Sequence, residues 1–312
     1  MAEVDAAKVK ELRERSGAGM MDCKRALTEA GGDMDKAVDW LRSKGLAAAA
    51  KKAGRVAAEG LVAVATDKTR GVAVEVNSET DFVARNDKFQ DLVRNVAKVA
   101  LGTNGDYDKA VGAPYPGTKH TVGDQVKETV AAIGENIQFR RAKSLSVAHG
   151  AVVSYIHNVI APDMGKIAVL VALESTGDVA KLAALGKQLA MHIAAANPQS
   201  LTVETLDPAA VERERAVFAE QSKASGKPAD IIAKMVDGRL RKFYGEAVLL
   251  EQVFVIDGET KVAQVVENAA KDVGAPVKLA GFVRYALGEG IEKKQEDFAQ
   301  EVAAVAGVAP RR

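Results

Sequence analysis

Cysteine is almost missing from this chain, with Cys23 its single example. No intrachain disulfide can form, so the cores must hold the fold, and a reducing compartment such as the cytoplasm is the fitting location. Aromatic residues are scarce at 4% of 312 residues, which leaves the plentiful alanine and valine to fill those cores. An excess of charge of one sign is lacking too: 43 Lys and Arg against 42 Asp and Glu give a formal net charge of +1. That balance removes any bulk electrostatic reason to expect nucleic acid or an anionic membrane as partner. No apolar run is long enough to span a bilayer, and the N-terminal stretch has no apolar signal core. What is present, 47% hydrophobic and 27% charged residues, suits a globular protein with the length for about two domains.

Sites of chemistry are equally hard to find. Gly165-Lys166, Gly186-Lys187 and Gly226-Lys227 each lack the glycine five positions earlier that a phosphate-binding loop requires. Gly17 and Gly19 begin a dinucleotide fingerprint that Asp22 fails to complete. The four histidines, His120, His149, His157 and His192, show no metal-ligand spacing, and no Gly-x-Ser-x-Gly elbow occurs. His192, on a largely apolar helix, reads as a satisfied packing residue. The expectation is a binding protein: no enzyme, no cofactor, no metal and no nucleotide of its own.

Residues 1 to about 45 read as three short helices. Val9 and Leu12 mark the first, and Cys23, Ala26, Leu27 and Ala30 the second. Met34, Ala37, Val38 and Leu41 mark the third, with Asp33 as its cap and Gly45 as its stop. The pattern is similar to ubiquitin-associated domains. Cys23 falls on the buried stripe and reads as core rather than nucleophile. Met20 and Met21 can offer a contact surface, with one of the two expected in the core. Residues 47–58 form a helix-prone, basic connector.

Alternating runs at 61–66 and 71–77 flank a short turn and predict a hairpin. A helix over about 87–100 follows, then a loop over 102–117 and a second amphipathic helix marked by Val122, Val126, Val130, Ile133 and Ile137. The same order returns about ninety residues later: strand 151–156, connection 158–165, strand 166–173 and helix 178–196. Such a recurrence argues for two similar α+β subdomains. Residues 208–222 and 228–243 form a helical hairpin too poor in apolar residues to be core. Strands are expected at 253–256 and 277–287, and a last helix at about 292–306.

One stretch stands apart. Glu75 to Arg85 starts as a strand through Val72, Val74 and Val76, turns polar, and sets Phe82 ahead of a helix that Asn86 or Asp87 can cap. Phe89, Leu92, Val93 and Val96 give that helix one buried face. From pattern alone, Phe82 serves equally as a core residue folded back or as a protruding anchor.

The run Glu75 to Arg85, centred on Thr80-Asp81-Phe82-Val83, resembles the signature of the bacterial elongation factor Ts family. The segment Leu12 to Leu27 (LRERSGAGMMDCKRAL) resembles that family's second signature, with Ser16 where threonine is usual. The resemblance continues to the C-terminus, apart from a somewhat long loop in the second half. It implies a guanine nucleotide exchange factor that binds elongation factor Tu in its GDP-bound and nucleotide-free states, perturbs the Mg²⁺ and phosphate site, and promotes GDP release.

The resemblance implies a ubiquitin-associated-like partner-binding domain over 1–52 and a core N-subdomain over 56–143. A core C-subdomain follows over 147–287 with a helical-hairpin insertion at about 203–243, and a C-terminal module over 288–312. Carried over residue by residue, Phe82 is the wedge, Asp81 a polar contact, and Thr80 and Val83 hold the turn. Arg13, Met20 and Met21 are weaker partner contacts. In the family the hairpin has been linked to dimerisation; the sequence supports the hairpin and leaves a homodimer open.

Two rival readings use other residues. An adaptor or chaperone-like binder explains the N-terminal helices but gives Thr80 to Val83 no purpose. An RNA binder would use Lys51-Lys52, Arg140-Arg141 and Arg239-Arg241-Lys242, without the interleaved aromatics such a face needs.

Overall fold

Val9, Leu12, Cys23, Ala26, Leu27 and Ala37 come from three helices and close into one small cluster. These are α1 (Ala6–Ser16), α2 (Met20–Glu29) and α3 (Met34–Lys52), seen in a computed structural model that describes residues 5–16, 18–223 and 226–292. The C-terminal module expected over 288–312 lies outside the described residues from 293 onward, and so does all but the first residue of its helix. Asp33 caps α3, its carboxylate accepting from Lys36 N at 3.0 Å. Gly45 does not stop that helix, which runs on to Lys52. A Cβ on Gly45 would stand 2.8 Å from Ala131 Cβ on α6 (Val122–Ile133), so the glycine permits a close helix contact. Its low helix propensity, about 1 kcal/mol against alanine, is offset by this docking. Lys52 Nζ also donates to Gly134 O at 2.6 Å, and Ala49 joins the core of the main body.

That body runs one order of elements twice. The first set is β1 (Glu59–Asp67), β2 (Arg70–Ser78), α4 (Asp87–Gly102), α5 (Tyr107–Gly112), α6 and β3 (Gln138–Ser146). The second is β4 (Gly150–Ala161), β5 (Met164–Glu174), α7 (Val179–Ala196), the hairpin of α8 (Pro208–Lys223) and α9 (Ala229–Ala247), then α10 (Val262–Val273) and β6 (Lys278–Ala286). In each set the second strand is central and antiparallel to the other two. Each outer strand bulges against its central one, with Arg140 of β3 the extra residue opposite Glu75/Val76 and Ala280 of β6 opposite Ala172/Leu173. Beside each bulge sits a glycine with positive φ, Gly60 at 115° and Gly150 at 119°, where a side chain would collide with Val76 O or Leu173 O. The two sets join into one mixed α+β unit at a short seam, Val62 and Ala63 of β1 pairing with Gly165 and Met164 of β5.

Strand alternation sorts the side chains into three layers. Leu61, Val72, Val74 and Val76 face α4, where Phe89, Leu92, Val93 and Val96 are all buried. Val169, Val171 and Leu173 face α7 and α10 in the same way. The intervening residues Val62, Val64, Ala73, Val152, Ala168 and Leu170 pack on each other, sheet against sheet. The order is helices, three strands, three strands, helices. Each large apolar side chain so buried stabilises by about 1.5–3 kcal/mol.

Several expectations needed correction. Residues 253–256 are not a strand: Val253 makes one isolated bridge to Lys261, and Val253, Val255 and Ile256 are about half exposed. A bond from Phe254 N to Thr260 O closes that segment as a loop, just as Tyr115 N to His120 O closes its counterpart. The loop expected over 102–117 contains α5, and the connection between β4 and β5 shrinks to Pro162 and Asp163. The second amphipathic helix ends at Ile133, so Ile137 belongs to the approach to β3.

His192 is buried, accepting at Nδ1 from Val255 N at 3.2 Å and facing Gln252 Oε1 through Nε2 at 2.9 Å. That arrangement requires the neutral ring with the proton on Nε2. Burial holds its pKa below the ordinary imidazole value, with the Gln252 bond opposing. Below the unfolded value of about 6.5 the unfolded chain takes up a proton that the folded chain refuses. The contribution is therefore complete above that pH and declines on acidification, by at most about 1.4 kcal/mol per pH unit. Urea midpoints between pH 7.5 and 5 should fall more steeply for the wild type than for His192→Asn; parallel curves would contradict the assignment.

Candidate partner-binding site

β2 ends at Ser78, and the chain needs only a short polar turn before Asn86 caps α4 by accepting from Lys88 N and Phe89 N. Within this turn Val83 and Ala84 are buried and belong to the core under α4. They open a single turn of tight helix, with Arg85 N donating to Phe82 O at 3.1 Å and Asn86 N to Val83 O at 2.9 Å. With its successors pinned inward, Phe82 points outward at 80% exposure, the highest of the large apolar side chains among the described residues. The ring does not fold back. Asp81 beside it is exposed as well.

The base of the turn is bonded on both sides. Ser78 Oγ donates to Thr80 O at 2.9 Å. Thr80 gives its amide to Glu135 Oε2 at 2.9 Å and its hydroxyl to Glu135 Oε1 at 2.6 Å. In return Asn136 N donates to Glu79 Oε1 at 2.5 Å, and Asn136 Nδ2 reaches Arg55 O at 2.7 Å. Sequence reasoning singled out Thr80 but neither Glu135 nor Asn136. The only signal available was Gly134, whose left-handed backbone at the end of α6 turns the chain back toward the motif.

The strand that leads into the turn is locked separately. Glu75 is fully buried between the sheets, where Oε1 accepts from Arg140 Nη1 at 3.1 Å, Asn77 Nδ2 at 2.9 Å and Gly288 N at 2.8 Å. Oε2 accepts from Arg141 Nε at 2.5 Å. Arg141 also lies over the Tyr285 ring at 4.0 Å and donates to Ala286 O at 3.1 Å. The Arg140-Arg141 pair, offered above to RNA, is thus turned inward onto a carboxylate.

The remaining site residues sit apart. Arg13 on α1 is exposed, and so are Met20 and Met21 at 60% and 73%. Neither methionine is core, because Ala18 packs against the bundle cluster ahead of α2 and the helix turns inward only from Cys23. No hydrogen bond joins these three to the turn among the described residues. Nor does any group of three His, Cys, Asp or Glu there suit a metal ion, and no helix there is long and apolar enough to cross a membrane. The turn offers a ring, a carboxylate and a rigid base, which is the equipment of a contact surface.

Known proteins match this arrangement over nearly its whole length. Residues 79–289, from the turn to the end of the Glu75 network, match the family Elongation factor TS. The chain is 63% identical to elongation factor Ts of Rhodospirillum centenum, covering 98% of the chain and 100% of the relative. It is 61% identical to that of Paramagnetospirillum magneticum, covering 99% of each. Its identity to that of Rhodospirillum rubrum is also 61%, over 97% of the chain and 99% of the relative. The chain belongs to the elongation factor Ts family, the non-catalytic guanine nucleotide exchange factors of elongation factor Tu.

Proposed function

We propose that the turn Thr80-Asp81-Phe82-Val83 is the element with which this chain opens the nucleotide site of elongation factor Tu. The observation that supports this most is a phenyl ring held out in solvent on a turn whose next two side chains are buried. Mg²⁺ demands near-octahedral geometry, so a small displacement of its surroundings by an inserted ring weakens the ion and with it the GDP phosphates. Exchange needs no contact with GDP. The factor by which the chain weakens GDP is the factor by which GDP weakens the chain. Asp81 supplies a polar contact beside the ring, while Thr80 and Val83 hold the turn.

The helices within 1–52 act as a ubiquitin-associated-like partner-binding domain, with Arg13, Met20 and Met21 exposed for contact. The core divides into subdomains over 56–143 and 147–287, the hairpin at about 203–243 being an insertion in the second. The seam between β1 and β5 and the repeated element order support that division. Self-association through the hairpin is a separate reading, motivated by exposed Val217 and Ile231, and sedimentation of the full chain decides it.

The deciding measurement is stopped-flow release of a fluorescent GDP from cognate elongation factor Tu. The full chain should accelerate release strongly; a folded chain without effect would overturn the exchange role.

A further inference from the structure

An exposed ring acts as a wedge only if its backbone holds it in one direction. We infer that Glu135 is a positioning residue for the exchange turn, clasping Thr80 so that Phe82 enters the partner in a fixed orientation. This rests on the reading of Phe82 as the inserted ring.

The geometry is that of a two-point bond. Both oxygens of one carboxylate are used, one on the amide and one on the hydroxyl of Thr80, two positions before Phe82. Bonds to an ionised acceptor are shorter and stronger than neutral ones, and two of them on one residue remove the rotation that a single bond would leave. Glu79 completes the clasp in the opposite sense by accepting from Asn136 N. Two chain segments 55–57 positions apart thus exchange side-chain-to-backbone bonds.

Glu135 gains little from its own helix. It follows the left-handed Gly134 at the C-terminal end of α6, where the helix dipole disfavours a negative charge. Its carboxylate is directed across to the motif instead. The same junction reaches the N-terminal helices, since Asn136 Nδ2 holds Arg55 O and Arg55 Nη1 lies 3.5 Å from Glu79 Oε1. The turn, the end of α6 and the exit of α3 therefore share one set of bonds.

The test uses the full chain with elongation factor Tu and reads two quantities. One is the maximal rate of GDP release at saturating factor. The other is the ratio of its affinities for nucleotide-free and GDP-bound partner, which measures the coupling itself. Glu135→Ala should lower both by about tenfold, with a smaller change in the concentration giving half-maximal release. Glu135→Gln, which keeps one acceptor, should lie between Glu135→Ala and the wild type. Thr80→Val removes the hydroxyl from the other side, and keeps the test available should Glu135→Ala not fold. Combined with Glu135→Ala it should add little to the loss.

A lower unfolding midpoint with the affinity ratio unchanged would overturn the inference, because it would leave Glu135 a structural residue only. Fully additive losses would do the same. Wild-type release by Glu135→Ala beside a crippled Phe82→Ala removes the positioning role alone. Wild-type release by Phe82→Ala removes the wedge and the positioning role together.

Discussion

Replacing Phe82 by alanine is expected to lower assisted GDP release by about thirtyfold while leaving the fold unchanged. The magnitude follows from the cost of truncating an aromatic anchor that fills a pocket in a partner, about 2 kcal/mol or more, or a little over tenfold per 1.4 kcal/mol of barrier. The fold should tolerate the change because the ring is 80% exposed and covers no core residue; surface substitutions of this kind stay within about 0.5 kcal/mol. Val83 and Ala84, which pin the turn, remain in place. Stopped-flow release and urea unfolding on the same preparation separate the two statements. Full exchange activity in the variant would move the site to another surface, and the exposed Met20 and Met21 would be examined next.

The second large effect concerns stability. Glu75→Ala should lower the unfolding free energy by about 3 kcal/mol, the lower end of the range for breaking a buried ion pair. The lower end applies because Arg140 and Arg141 keep about a quarter of their side-chain surface in water and can be partly hydrated. Asn77 Nδ2 and Gly288 N lose an acceptor in a place with little water. Glu75→Gln retains shape and one acceptor oxygen and should cost less than the alanine variant. The reading is a lower urea midpoint with an unchanged slope. An unchanged midpoint for Glu75→Ala would show that the arginines find water or Glu289 as substitutes, since Arg141 Nη2 already lies 3.6 Å from Glu289 Oε2.

How much of this was legible in the sequence depended on whether a residue's role was local. The helix of Phe89, Leu92, Val93 and Val96 was plain because one face carries every large apolar residue, and the first hairpin was plain from its alternation. β3 was not, because its polar run with Arg140-Arg141 does not look like a half-buried strand until Glu75 is placed opposite Arg141. Gly45 misled for the same reason: as a local signal it ends a helix, and only Ala131 shows why a helix would keep it. The exposed apolar residues at 253–256 imitate a strand but close a loop. In the candidate site, Thr80 to Val83 could be read from the motif. Phe82's direction could not, nor could Glu135, because hydrogen bonds between distant segments leave no periodic trace.

The short seam between β1 and β5 has a consequence for how the chain is made. The first set of elements is complete once β3 has been synthesised, since β2 then has both neighbours. The second set must wait for β6, which lies beyond the helical hairpin. At about 5–20 residues per second the ribosome needs on the order of ten seconds to cover that interval. Throughout it, the inner face of the first sheet, with Val62, Val64 and Ala73, lacks its full cover. A nascent chain of this protein therefore carries a completed half whose inner apolar face is covered only when the second half closes over it.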